Sequence, residues 1–407
     1  MQEVTSFKTN NPNALKPYFT MKILHTADWH LGRYLHNFPL IDEQRFILEQ
    51  LIQIVREEQP DVVIIAGDVY DRSVPPAEAV TLFDQTIKTI VGELGTRVIT
   101  IAGNHDSPER IHCHSSLLSL GGFYVYGQHD VSFQPIVLKD EFGEVNFYPV
   151  PFIEPDHARY LSGNPALKTH DDTWEWICGE IEKQENFTAF KNRSVLIAHL
   201  FAAGGMVCES ERALSVGGAD QVSVERFKNF AYTALGHLHC PQEFLKGKAA
   251  YSGSLLKYSL SEVTHPKSLS IIEIDGDGLL KTFKKPLIAR KDVRTIGGKI
   301  EGRNFTLADD AKGDPRREDY LHVLLQNEEI VLNPMSLIQK TYPNTLKIEF
   351  PNRPAIISSA RFNAESVGEM TPLELFSAFY ETLTEKPLDA EREEILNDVL
   401  DEILKES

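Results

Sequence analysis

The sequence is poor in cysteine. Its 407 residues include four, Cys113, Cys178, Cys208 and Cys240, and no two form a C-x-x-C pair. That excludes a disulfide framework and a cysteine-based zinc site, and a reducing cytoplasm is the expected setting. Long apolar runs are also missing: none reaches the ~18 residues that a membrane span needs. Positive charge is in deficit, with 41 Lys+Arg against 59 Asp+Glu and a formal net charge of −18. This excludes a protein that coats nucleic acid by bulk charge, but not one with a local basic groove. Repeats and low-complexity segments are absent. The first twenty residues are polar and have no apolar stretch, so they are not a secretory signal. Residues 1–20 read as a disordered leader or extension outside the fold, which starts at Met21.

What is present is an ordinary globular composition, 42% apolar with 25 Gly. At roughly 150 residues per domain, the length suggests two or three domains. Short β runs alternate with helix-period segments. Ile23-Leu24 opens a strand, and residues 41–57 place Ile47, Leu51, Ile54 and Val55 on one helical face. Val62 to Ile65 is a buried β run. Residues 76–92, after Pro75-Pro76, place Ala79, Phe83, Ile87 and Val91 on a second helical face. Val98 to Ile101 is a third β run, and 194–198 and 232–235 read as later strands. The pattern predicts a layered α/β domain.

Composition shifts near residue 281. Residues 281–303 hold eight basic and two acidic side chains. On charge alone such a run is ordinarily a solvated linker. Residues 320–326 and 345–350 read as strands with a short helix after Pro334, a small α+β module. From Thr371 the chain reads as helix, with a capping box at Thr371, Pro372 and Glu374. Ile395, Leu396, Val399, Leu400, Ile403 and Leu404 form an apolar stripe there. With eleven acidic and three basic residues from Thr371 on, this tail cannot grip DNA.

Five motifs each follow an apolar β run: Asp28-Trp29-His30, Gly67-Asp68, Gly103-Asn104-His105-Asp106, His199, and Gly236-His237-Leu238-His239. In an open α/β sheet, groups just past the strand ends gather in one crevice. One histidine or one Gly-Asp after a strand is ordinarily a core residue or a turn; five in order are not. Carboxylate, imidazole and amide together are ligands for divalent ions such as Mn²⁺, Fe²⁺, Co²⁺ or Zn²⁺. Metal charge offsets the burial and mutual repulsion of such a cluster. The ligands are too many for one ion. Two ions about 3.5–4 Å apart sharing a carboxylate accommodate them, and such a pair suits phosphoester hydrolysis.

The set resembles the calcineurin-like metallophosphoesterases across residues 21–285. Ile23-Leu24-His25-Thr26-Ala27-Asp28-Trp29-His30-Leu31-Gly32 is similar to the opening of the bacterial SbcD subfamily. So are Ala66 to Asp71, Ala102 to Ser107, Gly236 to His239 with Tyr251-Ser252-Gly253-Ser254, and Thr371 to Phe376. The resemblance implies a layered β-sandwich flanked by helices over 21–285. It further implies an α+β DNA-capping domain over 286–362 and a helical ATPase-binding tail over 363–407. It implies that Asp28, His30, Asp68 and His239 hold one ion. Asp68, Asn104, His199 and His237 would hold the other, with Asp68 bridging and Mn²⁺ the expected metal ahead of Mg²⁺, Fe²⁺ or Co²⁺. His105 would be catalytic and face the phosphate, either protonating the leaving oxygen or stabilising charge on the phosphoryl group, and Asp106 would orient a histidine. The family's second-histidine role does not transfer to Asp71, and Cys240 has none assigned. Lys284, Lys285, Arg290 and Lys291 would meet DNA phosphates. The implied activity is 3′→5′ double-strand exonuclease and single-strand endonuclease on ends and hairpins, by two-metal activated-water attack. It would act with an SbcC-type coiled-coil ATPase, as a homodimer within a heterotetramer. The alternatives are a phosphodiesterase or phosphatase for a small or protein substrate, and a non-catalytic DNA-end scaffold.

Overall fold

The computed structural model describes residues 20–211, 220–308, 314–329, 331–352, 371–384 and 386–406. The segment read as a leader lies, apart from Thr20, outside the described residues, as does the boundary expected at 362/363. The chain divides into two compact units, one to Arg294 and one from Thr295.

Four strands of the first unit, β1 (Met21–Thr26), β2 (Val62–Ile65), β3 (Arg97–Ile101) and β4 (Phe123–Tyr126), are parallel neighbours in that order. Near-continuous Val/Ile runs are what strands covered on both faces require. Ile23, Val62, Ile64, Ile99 and Ile101 point to one face and join a core cluster. The alternating Leu24, Val63, Ile65 and Val98 are equally buried on the other face. Helices α1 (Ile41–Glu58) and α2 (Ala77–Ile87) make the crossovers between the first three strands. Helix α1 buries Ile47, Leu48, Leu51 and Val55, with Ile54 at the margin. Helix α2 buries Ala79, Leu82, Thr86 and Ile87, and the chain continues as a π-turn over Lys88–Glu93 that buries Ile90, leaving Phe83 and Val91 half-buried.

A second sheet is built from β5 (Ile136–Asp140), β6 (Gly143–Val150), β7 (Ser194–His199), β8 (Tyr232–Gly236), β9 (Gln242–Phe244) and β10 (Ala249–Tyr251), in spatial order β9-β10-β8-β7-β6-β5. Val145, Phe147, Val195, Ile197, Tyr232, Ala234 and Ala250 share the core cluster of the first sheet, so the two sheets pack face to face. The outer face of the second sheet is covered by helix α3 (His170–Glu182) through Trp174, Ile177, Cys178 and Ile181. The layers run helix, sheet, sheet, helix.

Strand β11 (Ser268–Ile274) then pairs antiparallel with β1, and β12 (Leu280–Pro286) antiparallel with β11, giving the order β12-β11-β1-β2-β3-β4. This corrects the linker reading of the basic run. Lys281, Lys284 and Lys285 lie on an edge strand, where charge discourages pairing with another chain. Arg294 and Lys299 lie on β13 (Val293–Glu301), with Arg290 and Lys291 before it and Arg303 after it.

In the second unit, β13, β14 (Asn304–Leu307), β15 (Tyr320–Leu325) and β16 (Thr345–Glu349) form a sheet in the order β14-β13-β15-β16. Helix α4 (Pro334–Gln339) crosses between the parallel pair β15 and β16. Ile296, Ile300, Phe305, Leu321, Val323, Leu325, Ile338 and Tyr342 form its own core. The tail is two helices rather than one, α5 (Pro372–Thr384) and α6 (Ala390–Glu406). Pro387 cannot continue a helix, and Asp389 caps the next one by accepting from the Arg392 N–H at 3.0 Å. The capping box at Thr371 is formed, with Thr371 N–H donating to Glu374 at 2.7 Å and Glu374 N–H to Thr371 Oγ1 at 3.2 Å. Within the apolar stripe, Ile395 is 58% and Val399 46% exposed, and Leu396 and Leu400 are half-buried. No described helix is long and apolar enough to cross a membrane.

Candidate metal centre

The five motifs meet at one edge of the sandwich. Asp28, Asp68 and Asn104 follow the carboxyl ends of β1, β2 and β3, while His199 ends β7 and His237 follows β8. Register brings the last pair together, because His199 lies opposite Gly236 in a parallel ladder. The first two loops are joined by backbone bonds, from Asp28 N–H to Gly67 O at 3.1 Å and from His30 N–H to Asp68 O at 3.0 Å.

The backbone is strained where the ligands sit. Asp28, His30, Asp68 and His237 have φ of 54°, 45°, 50° and 111°. Such conformations cost of order 1–3 kcal/mol each in a non-glycine residue and cluster where geometry serves a site. Neighbouring glycines make room. A Cβ on Gly103 would lie 2.2 Å from Asp68 Oδ1, and one on Gly236 would lie 1.9 Å from Ala66 O.

Three overlapping groups each bring their ligand atoms within 4.8 Å of one another: Asp28, His30 and His239; His30, Asp68 and His105; Asp28, Asp68 and His199. Asn104 Oδ1 lies 3.0 Å from His199 Nε2 and 3.2 Å from His237 Nδ1. All seven side chains expected as ligands are thus in one cluster, and His105 stands beside them. Its backbone N–H donates to Asp68 Oδ1 at 2.9 Å, and its Nδ1 donates to Asp71 O at 2.8 Å.

The electrostatics favour a cation. Asp28, His30, Asp68, His199, His237 and His239 are all buried. Burial, with Asp68 nearby, pushes the Asp28 carboxyl well above its ordinary range. Asp68 is itself buried, but His199, His30 and His105 outweigh that and hold it well below. Burial alone would lower His199, yet Asp68 and Asp28 raise it to about 9. A proton there serves as the positive charge that the carboxylates need, in a position where a metal would displace it. Elsewhere no such proton is available: burial holds His30 well below its usual value and His239 at about 4. Their Nε2 atoms nevertheless face one another at 3.0 Å. His30 Nδ1 and Asn104 Nδ2 have no hydrogen-bond partner. Opposed imidazole nitrogens beside two buried carboxylates fit divalent ions as the missing partners.

Several supporting residues carry no signal in the sequence. Gln44 of α1, fully buried, accepts from Gly32 N–H and donates to His30 O at 2.7 Å, holding the first loop. His199 Nδ1 donates to Ala66 O at 2.9 Å, which turns Nε2 toward the cluster. Arg33 donates to Asp71 at 3.2 Å and to Ser210 O at 2.6 Å. Each pair joins separate loops, so spacing along the chain cannot reveal it. Asp106 differs from expectation. Its carboxylate accepts from the backbone N–H groups of Val69, Tyr70 and Gly103 at 2.9–3.1 Å, so it braces two loops rather than orienting a histidine. Cys240 is buried against Pro241. The basic candidates are engaged within the chain. Lys284 faces Glu243 at 3.7 Å, Lys285 faces Glu58 at 2.5 Å and Arg290 faces Glu43 at 2.8 Å; Lys291 also has a partner.

The calcineurin-like phosphoesterase family model matches residues 21–241. A second model, SbcD_C, described as a type 5 capsule protein repressor C-terminal domain, matches 290–384. The chain is 32% identical over 388 residues to the SbcD subunit of the nuclease SbcCD from Staphylococcus saprophyticus, covering 95% of this chain and 99% of that protein. Among solved structures, TT1561 of Thermus thermophilus is similar at 12% identity and a TM-score of 0.36, over 65% of this chain and 99% of that one. A dimetal phosphatase from Danio rerio is similar at 11% identity and a TM-score of 0.37, over 67% of this chain and 97% of that one. The two family matches and the full-length relative place the chain in the SbcD family of calcineurin-like phosphoesterases, and it is a metal-dependent phosphoesterase.

Proposed function

We propose that the chain is the Mn²⁺-dependent nuclease subunit of an ATP-driven SbcC–SbcD-type complex that hydrolyses DNA phosphodiesters at ends and hairpins. The observation that carries this reading is the position of Asp68. Its carboxylate is 3.6 Å from His30 Nε2 and 3.4 Å from His199 Nε2, so one residue adjoins both halves of the cluster. Asp28, His30, Asp68 and His239 would hold one ion, and Asp68, Asn104, His199 and His237 the other. When bound, the ions supply positive charge at the phosphate and acidify a water. His105 has Nδ1 committed as donor to Asp71 O, so Nε2 is the atom left to face the phosphate, and it gives a proton to the leaving oxygen from the doubly protonated imidazolium. The Asp68 contact to its backbone N–H fixes where that ring stands. Asp106 keeps the two loops at a constant separation.

The second unit and tail support a macromolecular substrate, because a small phosphoester needs no further module of roughly 110 residues. In this reading residues 286–362 cap the DNA, and 363–407 offer an apolar stripe to the ATPase coiled-coil base. Lys284, Lys285 and Arg290 reach phosphate only in competition with the carboxylates they now face, and Lys291 with its own partner. The working unit would be a cytoplasmic heterotetramer with two copies of this chain.

The test is nucleotide release from a 3′-labelled linear duplex and from a short single strand, in Mn²⁺ and in EDTA, for wild type and His105→Ala. Release in Mn²⁺ that the variant loses at unchanged metal content supports the reading. Turnover of cyclic nucleotides without DNA cleavage would replace it with a small-substrate enzyme.

A further inference from the structure

His239 is held from behind by a buried chain of polar groups. Its Nδ1 lies 2.7 Å from Ser210 Oγ, which lies 2.6 Å from Glu262 Oε1. The other Glu262 oxygen is 2.6 Å from Lys267 Nζ. Lys267 also donates to His239 O and to Ser254 Oγ, each at 2.8 Å. Glu262 is fully buried, and Ser210 and Lys267 nearly so. Glu262 itself is 3.7 Å from Nδ1, beyond hydrogen-bond reach, so the serine is interposed where a carboxylate ordinarily meets a metal-bound histidine directly.

The direction of each bond follows from the donors available. Glu262, ionised beside Lys267, only accepts. The single hydroxyl proton of Ser210 therefore goes to Glu262. That leaves Ser210 Oγ with lone pairs only toward His239, so Nδ1 must carry the ring proton. Nε2 is then a bare lone pair, and it is the atom facing His30 Nε2 at 3.0 Å.

We propose that Ser210 and Glu262 are positioning residues: a serine relay from the Glu262–Lys267 ion pair fixes the Nδ1–H tautomer of His239 and presents Nε2 to the metal. The backbone of this relay is anchored independently. Glu211 accepts from His239 N–H at 2.6 Å, and Arg33 donates to Ser210 O at 2.6 Å. Removing the Ser210 hydroxyl therefore leaves the loop in place. The inference rests on the metal centre proposed above.

The experiment uses the full chain with Mn²⁺ alone as probe. Free Mn²⁺ is followed by electron paramagnetic resonance for wild type, Ser210→Ala, Ser210→Thr and Glu262→Gln. The His239 tautomer is read from ¹⁵N-histidine spectra of the metal-free proteins. The relay predicts that Ser210→Ala binds one of two ions about 10–100-fold more weakly and loses the Nδ1–H tautomer. Ser210→Thr, which keeps a hydroxyl, restores both. Glu262→Gln behaves as Ser210→Ala; if it does not fold, the Ser210 pair carries the test. Wild-type Mn²⁺ affinity in Ser210→Ala, or weakened affinity with the tautomer retained, overturns the relay. Failure of wild type to bind two ions would sink the metal centre instead. The tautomer comparison would still decide whether the serine sets the ring.

Discussion

The Nε2 atoms of His30 and His239 face each other at 3.0 Å in a pocket that excludes solvent from both rings. The two residues are 209 positions apart, on loops of different sheets. Between uncharged imidazoles this arrangement is a single N–H···N hydrogen bond, whereas a bound cation would take both nitrogens as ligands. The buried Asp28 carboxylate, opposed by burial and by Asp68, makes the metal-free chain less stable than its packing allows, and metal should repair that.

Asp28→Asn tests this balance. The substitution removes a buried carboxylate that burial and Asp68 both oppose, while keeping an acceptor for His237 N–H. The metal-free melting temperature should rise. Mn²⁺-dependent stabilisation and hydrolysis should fall, the latter by about 10³-fold for several kcal/mol of lost metal catalysis. A lower metal-free melting temperature would show that the cluster is not strained by its charges.

His105→Ala should retain both ions and lose about 10²–10⁴-fold in rate, the usual worth of a positioned acid. Its contact to Asp68 is through the backbone N–H and survives the change. Loss of an ion in metal analysis would instead make His105 a ligand, as its proximity to His30 and Asp68 permits.

His25 predicts a pH dependence away from the centre. It is buried between the sheets with Nδ1 2.9 Å from the Tyr232 hydroxyl, and burial, then Lys284, lowers it to about 3. In the unfolded chain it takes its proton near ~6.5. Between those values the unfolded chain holds one more proton. Stability therefore falls as pH drops through that window, by up to about 1.4 kcal/mol per pH unit, and is unaffected above it. In EDTA, the double variant His25→Leu/Tyr232→Phe should match wild type at pH 7.5 and exceed it at pH 5 in urea unfolding. Parallel pH profiles would refute this.

Glu43→Gln and Glu58→Gln would each remove one carboxylate partner, from Arg290 and from Lys285. If these cations face DNA, affinity should rise. The slope of log K against log salt should steepen by about 0.9 per freed charge. An unchanged slope would assign the basic segment to guarding a sheet edge.

Ile395→Asp/Val399→Asp changes exposed positions of α6, so the melting temperature should hold within a few degrees. Cleavage of a short single strand should persist. Co-purification with the ATPase partner should be lost; its retention would move the docking surface elsewhere.

The sequence alone determined the class of chemistry and the strand runs that deliver it. Val62 to Ile65 and Val98 to Ile101 are too apolar to face water, and a polar motif after each buried strand must emerge at a sheet edge. The Thr371 box and the β15–α4–β16 module were legible because their signals are local. Tertiary structure decided what depends on distant contacts. The basic run became an edge strand because β11 offered it a partner, and a charge count does not register pairing. Asp106 turned to three amides because two loops closed over it. Ser210, Glu262 and Lys267 reach His239 from loops 29, 23 and 28 positions away, so no spacing rule could join them. Ligand types are fixed by residue chemistry. The tautomers, strain and second partners that make them a centre exist only once the two sheets have met.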